Sequence, residues 1–222
     1  MVESFSGTEM LVRDADLHFQ SRSIEKLKKD LGLIDLEKLM HTYINPELKW
    51  SNLRKEEDPN YNVGFDKRNE DAGYDVWAMY EEQDMNSRGE INIVIPQGQT
   101  KLVSLGIATA FDSKHFLSLK HERSSVGSKG VFVNAGLIDS GFRNGWKLCL
   151  TPIAGDLIIT NKVSEFTKEK RGDKTLLYYP YTKAIGQVVV GLNLDSKSTQ
   201  VPYDDLLQIT SERGLGGFGS TN

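Results

Sequence analysis

The chain has 222 residues, of which 38% are hydrophobic, and carries a formal net charge of −4 at neutral pH. That length supports one sizeable core, and the acidic balance argues against a surface built to coat nucleic acid while leaving room for a local cationic pocket. A single cysteine, Cys149, excludes an internal disulfide, and no paired Cys/His spacing points to structural zinc, so a reducing interior fits. No stretch approaches the roughly 20 apolar residues of a membrane span, and the start MVESFSGTEM has no basic segment followed by an apolar run. The expectation is a soluble, intracellular, cytoplasmic protein with neither nucleic acid nor membrane as partner.

Residues 1–46 read as helical. Ile24, Leu27 and Leu31 recur at helical spacing up to Gly32, and Leu36, Leu39, Met40, Tyr43 and Ile44 continue the pattern, with Asp35 as N-cap and Asn45-Pro46 as stop. Two short amphipathic helices follow from this. From residue 47 the pattern changes to short β-runs divided by turn residues: INIVIP (91–96), TKLVSLGIATA (100–110), FLSLK (116–120), GVFVNA (130–135), WKLCLTPI (146–153), DLIITN (156–161), KTLLYY (174–179) and AIGQVVVGL (184–192). Many short strands without intervening helices imply an all-β sandwich, jelly roll or barrel. The charged SEFTKEKRGDK (164–174) reads as a solvated turn or hairpin tip, and RGLGGFGSTN (213–222) as a glycine-rich arm.

Four polar, glycine-containing segments interrupt the β-runs or follow them: EDAGYDV (70–76), HERSSVGSKG (121–130), NAGLIDSGFR (134–143) and the terminal arm. Singly, each has a plain explanation. Asp71 and Asp75 flank a turn glycine, RSSVGSKG has a common loop composition that also suits phosphate, and NAGLIDSGF reads as a hairpin. In the arm, Arg213 suits an anion, Phe218 a flat ring, and the glycines allow close backbone approach to phosphate.

Taken together and in order, DAGYDV, RSSVGSKG, NAGLIDSGFR, AIGQVVV and RGLGGFGST resemble the five motifs of the trimeric dUTPase family. The resemblance covers residues 48–222 and leaves the N-terminal segment outside. It implies a distorted jelly-roll or β-barrel core over 47–212, a short α-helical extension over 1–46, and a lid over 213–222. Residues 162–182, longer than usual before AIGQ, read as an insertion. The implied reaction is Mg²⁺-dependent hydrolysis of dUTP to dUMP and pyrophosphate in a homotrimer with shared sites.

Carried onto this chain, the resemblance makes Asp139 the carboxylate that orients and deprotonates the attacking water, and Asp75 the acid that reaches the Mg²⁺ through water. It gives Arg123, Ser124, Ser125 and Gly127 to phosphate binding, and Gln187 to a water-mediated phosphate contact. Asn134, Gly136 and Ile138 belong to the hairpin whose main chain selects uracil, and Phe142, where many relatives have tyrosine, lies under the deoxyribose. Arg213, Gly219, Ser220 and Thr221 contact phosphate from the arm, and Phe218 stacks on the base. Glu122 before Arg123 and Asn144 after Arg143 depart from the family pattern.

Two rival readings remain at this point. A dCTP deaminase shares the fold and similar motifs, but Cys149 stands where its catalytic glutamate is required. A nucleotide-dependent regulatory protein on a dUTPase fold would use 1–46 or 162–182 as a partner surface.

Overall fold

The computed structural model describes residues 46–120, 124–134, 136–194, 196 and 198–209. The expected N-terminal helices and the terminal arm lie outside these residues. Within them the protein is a β-structure with two short helices. In chain order the elements are β1 (Lys49–Asn52), β2 (Tyr74–Val76), β3 (Asn92–Ile95), β4 (Lys101–Ser104), β5 (Ile107–Ala110), β6 (His115–Lys120), α1 (Ser124–Gly127), β7 (Val131–Val133), β8 (Leu137–Asp139), β9 (Lys147–Pro152), β10 (Asp156–Thr160), β11 (Thr167–Arg171), β12 (Lys174–Pro180), β13 (Gly186–Leu192) and α2 (Tyr203–Leu207).

The strands form four sheets, ordered β1-β5, β11-β12-β10-β3, β2-β13-β6-β8 and β4-β9-β7. All pairings are antiparallel except β10 with β12. Alternation of apolar and polar residues sets which face of each strand is buried. Leu148 and Leu150 on β9, Leu157 and Ile159 on β10, and Leu117 and Leu119 on β6 point into one core with Val76, Ile93, Ile95, Trp146 and Val188. The hydrophobic gain, about 1.5–3 kcal/mol for each fully buried side chain of this size, therefore ties the sheets together.

The sequence places one strand over 100–110, whereas the structure breaks it into β4 and β5 at Leu105-Gly106. Gly106 has φ +65°, and a Cβ there would stand 2.7 Å from Cγ of Arg54. Arg54 is buried and donates from Nη2 to the carbonyls of Leu105 (2.5 Å) and Trp77 (2.8 Å). Burial pushes its guanidinium below the ordinary value, opposed by the nearby Asp58 carboxylate. The segment after β1 is thus clamped to the barrel. Asp58 accepts from the Tyr181 hydroxyl (2.8 Å), and Asn60 donates to the carbonyls of Tyr181 (3.0 Å) and Ala78 (3.2 Å).

Residues 162–182 form the hairpin of β11 and β12, turning at Gly172 with φ +60°. β11 is exposed along its length and charged, a composition that blunts an unpaired sheet edge. β12, by contrast, lies inside its sheet between β11 and β10, and Leu177, Tyr179 and Tyr181 are buried in the core.

Candidate active site

β6 organises the site. On one side it pairs with β13, setting Gln187 opposite Lys120 and Gly191 opposite Phe116, and on the other with β8, setting Asp139 opposite Phe116 and Leu137 opposite Ser118. β13 in turn pairs with β2, so Asp75 stands directly opposite Gln187. The first and fourth motifs, about a hundred residues apart in the chain, therefore meet across one ladder. Gly73 is obligatory there, because a Cβ would lie 2.5 Å from the Val188 carbonyl oxygen, and its own carbonyl accepts from the Gln187 amide at 3.5 Å.

The third motif forms an edge hairpin on β6. Leu119 N–H donates to the Gly136 carbonyl at 2.6 Å. In an antiparallel ladder the hydrogen-bonded pairs alternate, so Leu119 with Gly136 and Leu117 with Ile138 are bonded pairs, whereas Leu137 turns its N–H and C=O away from β6. Leu137 is thus a main-chain donor and acceptor pair on the sheet edge, without a partner among the described residues. Asn134 is fixed by its N–H to the Cys149 carbonyl (3.0 Å) and by its amide to the Thr151 hydroxyl.

After β8 the chain turns back through a bond from Phe142 N–H to the Asp139 carbonyl at 3.0 Å. The turn is closed by backbone, and Arg143 also donates to the carbonyls of Ser140 and Phe142. The Asp139 carboxylate is exposed and takes part in no hydrogen bond or ion pair among the described residues. Asp71 contrasts with it. Its carboxylate accepts from Arg68 at 2.9 and 3.0 Å, and those bonds hold it below the usual carboxylate range. Asp71 therefore belongs to its own turn.

Gly136, Ile138, Asp139 and Phe142 line a cleft of about 310 Å³ together with Trp146 and Cys149. Ile138 and Trp146 are buried and form its apolar back wall, Trp146 being held edge-on to Phe65 at 5.4 Å, while Phe142 is 43% exposed at the mouth. Asp139 and Leu137 also line a second cleft of about 440 Å³, with His115, Phe116, Ser140 and Asn193. Both volumes fall in the range of small-molecule sites. His115, itself buried, meets Asp112 at 2.8 Å. Burial pushes the Asp112 carboxyl up, but the bonds from the His115 ring and Lys114 N–H outweigh it and leave it below its ordinary value.

Ser124, Ser125 and Gly127 form α1 immediately after β6, anchored by the buried Val126. Arg123, Arg213, Phe218, Gly219, Ser220 and Thr221 lie outside the described residues. Sequence reasoning did not single out Leu119, Trp146 and Lys147 as cleft residues, and weighed Cys149 only against a rival activity. The alternation in WKLCLTP places Lys147 and Cys149 on one face of β9, and only the pairing of β9 with β4 and β7 shows which way that face looks.

The fold therefore sets an edge hairpin, and one carboxylate without a partner among the described residues, beside a cleft of small-molecule size. No family model matches the chain. A deoxyuridine 5'-triphosphate nucleotidohydrolase of Clostridioides difficile is 28% identical over 170 residues, covering 72% of this chain and 98% of that relative. The enzyme of the same name from Bordetella pertussis is 28% identical over 141 residues, covering 62% of this chain and 79% of its own length. The Staphylococcus bacteriophage 80alpha dUTPase solved with dUPNHPP shares the fold with a TM-score of 0.56 and 19% identity, over 79% of this chain and 98% of that one. The chain is thus similar in sequence to these nucleotidohydrolases over as much as 72% of its length, and it shares the fold of the phage enzyme.

Proposed function

We propose that the protein hydrolyses dUTP to dUMP and pyrophosphate, with Asp139 as general base for water attack on the α-phosphate. The observation that carries this reading is the exposed Asp139 carboxylate, without a partner among the described residues, on the rim of a nucleotide-sized cleft while its turn is closed through its main-chain carbonyl. An ionised carboxylate so placed accepts the proton of an attacking water. The free N–H and C=O of Leu137 suit the adjacent acceptor and donor of uracil. Cytosine offers a different pattern there and would leave buried polar groups unpaired, and the closeness of Gly136 to Leu119 supports exclusion of the thymine methyl. Phe142 at the mouth is placed to pack under the deoxyribose and crowd a 2′-hydroxyl.

Phosphate binding falls to Arg123, Ser124, Ser125, Gly127 and Gln187, completed by Arg213, Gly219, Ser220 and Thr221 of the arm, with Phe218 over the base. For Mg²⁺ the chain offers oxygen donors at Asp75 and Gln187, and no cluster of three His, Cys, Asp or Glu occurs among the described residues. That donor set fits an ion held largely by substrate phosphates and water, which would neutralise charge building on the phosphate oxygens. The exposed Leu137 (73%), Leu192 (52%) and Leu194 (76%) support burial against further copies, in keeping with a trimer. Cys149 lies on the same cleft and brings a thiol where deamination needs a carboxylate.

The test is pyrophosphate release from dUTP, dCTP, dTTP and UTP, with and without Mg²⁺, in wild type and Asp139→Asn. Release from dUTP alone, lowered about 10²- to 10⁴-fold by the substitution with calorimetric dUTP binding retained, is the expected result. Wild-type turnover by Asp139→Asn would remove the proposed base, and release from all four nucleotides would remove the uracil reading.

A further inference from the structure

On the β1-β5 ribbon, sharing no lining residue with the clefts that hold Asp139, a surface cleft of about 230 Å³ is lined by Lys49, Trp50, Ser51, Thr109 and Arg143 over the small side chains of Ala108 and Ala110. The register explains its shape. Lys49 stands opposite Ala110 and Ser51 opposite Ala108, so on that face of the ribbon a long cation and a hydroxyl rise beside two methyl groups. Arg143 closes the third side. Its Nη1 alone donates to the carbonyls of Ser140, Phe142 and Thr109, leaving Nε and Nη2, one edge of the guanidinium fork, without a partner among the described residues. Lys49 likewise has no ion pair among them. The lining contains two cations and no carboxylate, on a chain whose net charge is −4. Below the floor, the buried Thr109 hydroxyl has no partner among the described residues.

We infer that this cleft is a phosphate-binding site separate from the substrate cleft, taking a small phosphate or phosphate monoester between the free edge of Arg143 and the Lys49 ammonium. The chemistry is that of bidentate oxyanion recognition. A guanidinium edge matches two phosphate oxygens, an ammonium supplies a movable point charge, and Ser51 adds a hydroxyl donor. The alanine floor lets the anion sit close to the ribbon. Trp50, between Lys49 and Ser51, turns to the opposite face of the ribbon, where it stands edge-on to Phe65 at 6.1 Å and fixes β1 from below.

The experiment is amide and side-chain NMR of the full chain titrated with inorganic phosphate and, separately, dUMP, at constant ionic strength held with chloride. Saturable shifts are expected at Lys49, Trp50, Ser51, Ala110 and the Arg143 Nε–H. Lys49→Ala should weaken them about tenfold, the loss of one charge-assisted bond, and Ala110→Leu, which fills the floor, should abolish them. Neither residue touches the substrate cleft, so dUTP turnover serves as an independent readout that both variants should leave unchanged. Equal affinity for phosphate and dUMP at these residues assigns the site to the bare anion, and tighter dUMP assigns it to a nucleotide. Shifts that never saturate, that appear only around Asp139, Phe142 and Gln187, or that persist unchanged in Lys49→Ala would overturn the assignment.

Discussion

Gly136→Ala tests the geometry of the hairpin with one methyl group. A Cβ at this position would stand 2.6 Å from Leu119 Cβ and 2.8 Å from the Leu119 carbonyl oxygen. Carbon contacts settle near 3.5–4.0 Å, so the two strands must separate by roughly 1 Å. β6 cannot retreat, because Leu119 is buried and its strand is paired to β13 on the far side, with Val188 opposite. The hairpin must move instead, stretching the 2.6 Å bond from Leu119 N–H to the Gly136 carbonyl. Overpacking of this kind costs about 1–3 kcal/mol, which for a chain of this size lowers Tm by about 2–12 °C. The same 1 Å displacement carries Leu137 and Asp139 with it, and misplacement on that scale costs about 10²-fold in kcat/KM. Calorimetry and steady-state dUTP hydrolysis read the two effects on one preparation. Gly141→Ala is the control, since nothing lies within 4 Å of its added Cβ, and it should leave Tm unchanged or slightly raised. A Gly136→Ala protein with wild-type Tm and wild-type kcat/KM would refute the packing argument and the placement of the hairpin on β6.

Phe142→Ala should cut the preference for dUTP over UTP, measured as the ratio of kcat/KM, by about tenfold; an unchanged ratio moves sugar discrimination elsewhere. Tyr181→Phe removes the hydroxyl that donates to Asp58 and accepts from Tyr80 N–H, and urea unfolding should show a loss of about 1–3 kcal/mol, whereas no loss would mean that the clamp on the segment after β1 is slack. Glu81 is held below the ordinary carboxylate range by bonds from Gln83 and Ser104, helped by Lys147 and Lys101. A depressed carboxylate contributes stability above its unfolded pKa, near 4.3, and loses it as pH falls through the lower folded value. Glu81→Gln should therefore lessen the fall in Tm on acidification below about pH 4.3, and parallel Tm curves for the two proteins would show that Glu81 contributes nothing.

The strands that carry the core were legible because period-2 alternation in segments such as WKLCLTPI and DLIITN is imposed by one buried face. Those that escaped notice have no such pattern. β1 is mostly exposed, β2 is three residues long and sits inside a glycine-bearing motif, and β11 is wholly exposed and charged. Gly106 looked like a residue within a strand until Arg54, 52 positions earlier, was found packed against it. Within residues 162–182, KTLLYY was legible as a strand, but its place inside a sheet is set by parallel pairing with β10 and is invisible to local pattern.

By itself the sequence determined the chemistry at hand: which segments bring carboxylates, hydroxyls, guanidinium groups and glycines, and in what order. Only tertiary structure decided which of them meet. Asp75 faces Gln187 because β2 and β13 pair, whereas the pairing of Asp71 with Arg68 and the turn that Phe142 N–H closes on the Asp139 carbonyl are local choices that residue types alone left open. Hydrogen-bond register and steric contact join residues far apart in the chain, and no local pattern of side chains encodes that distance.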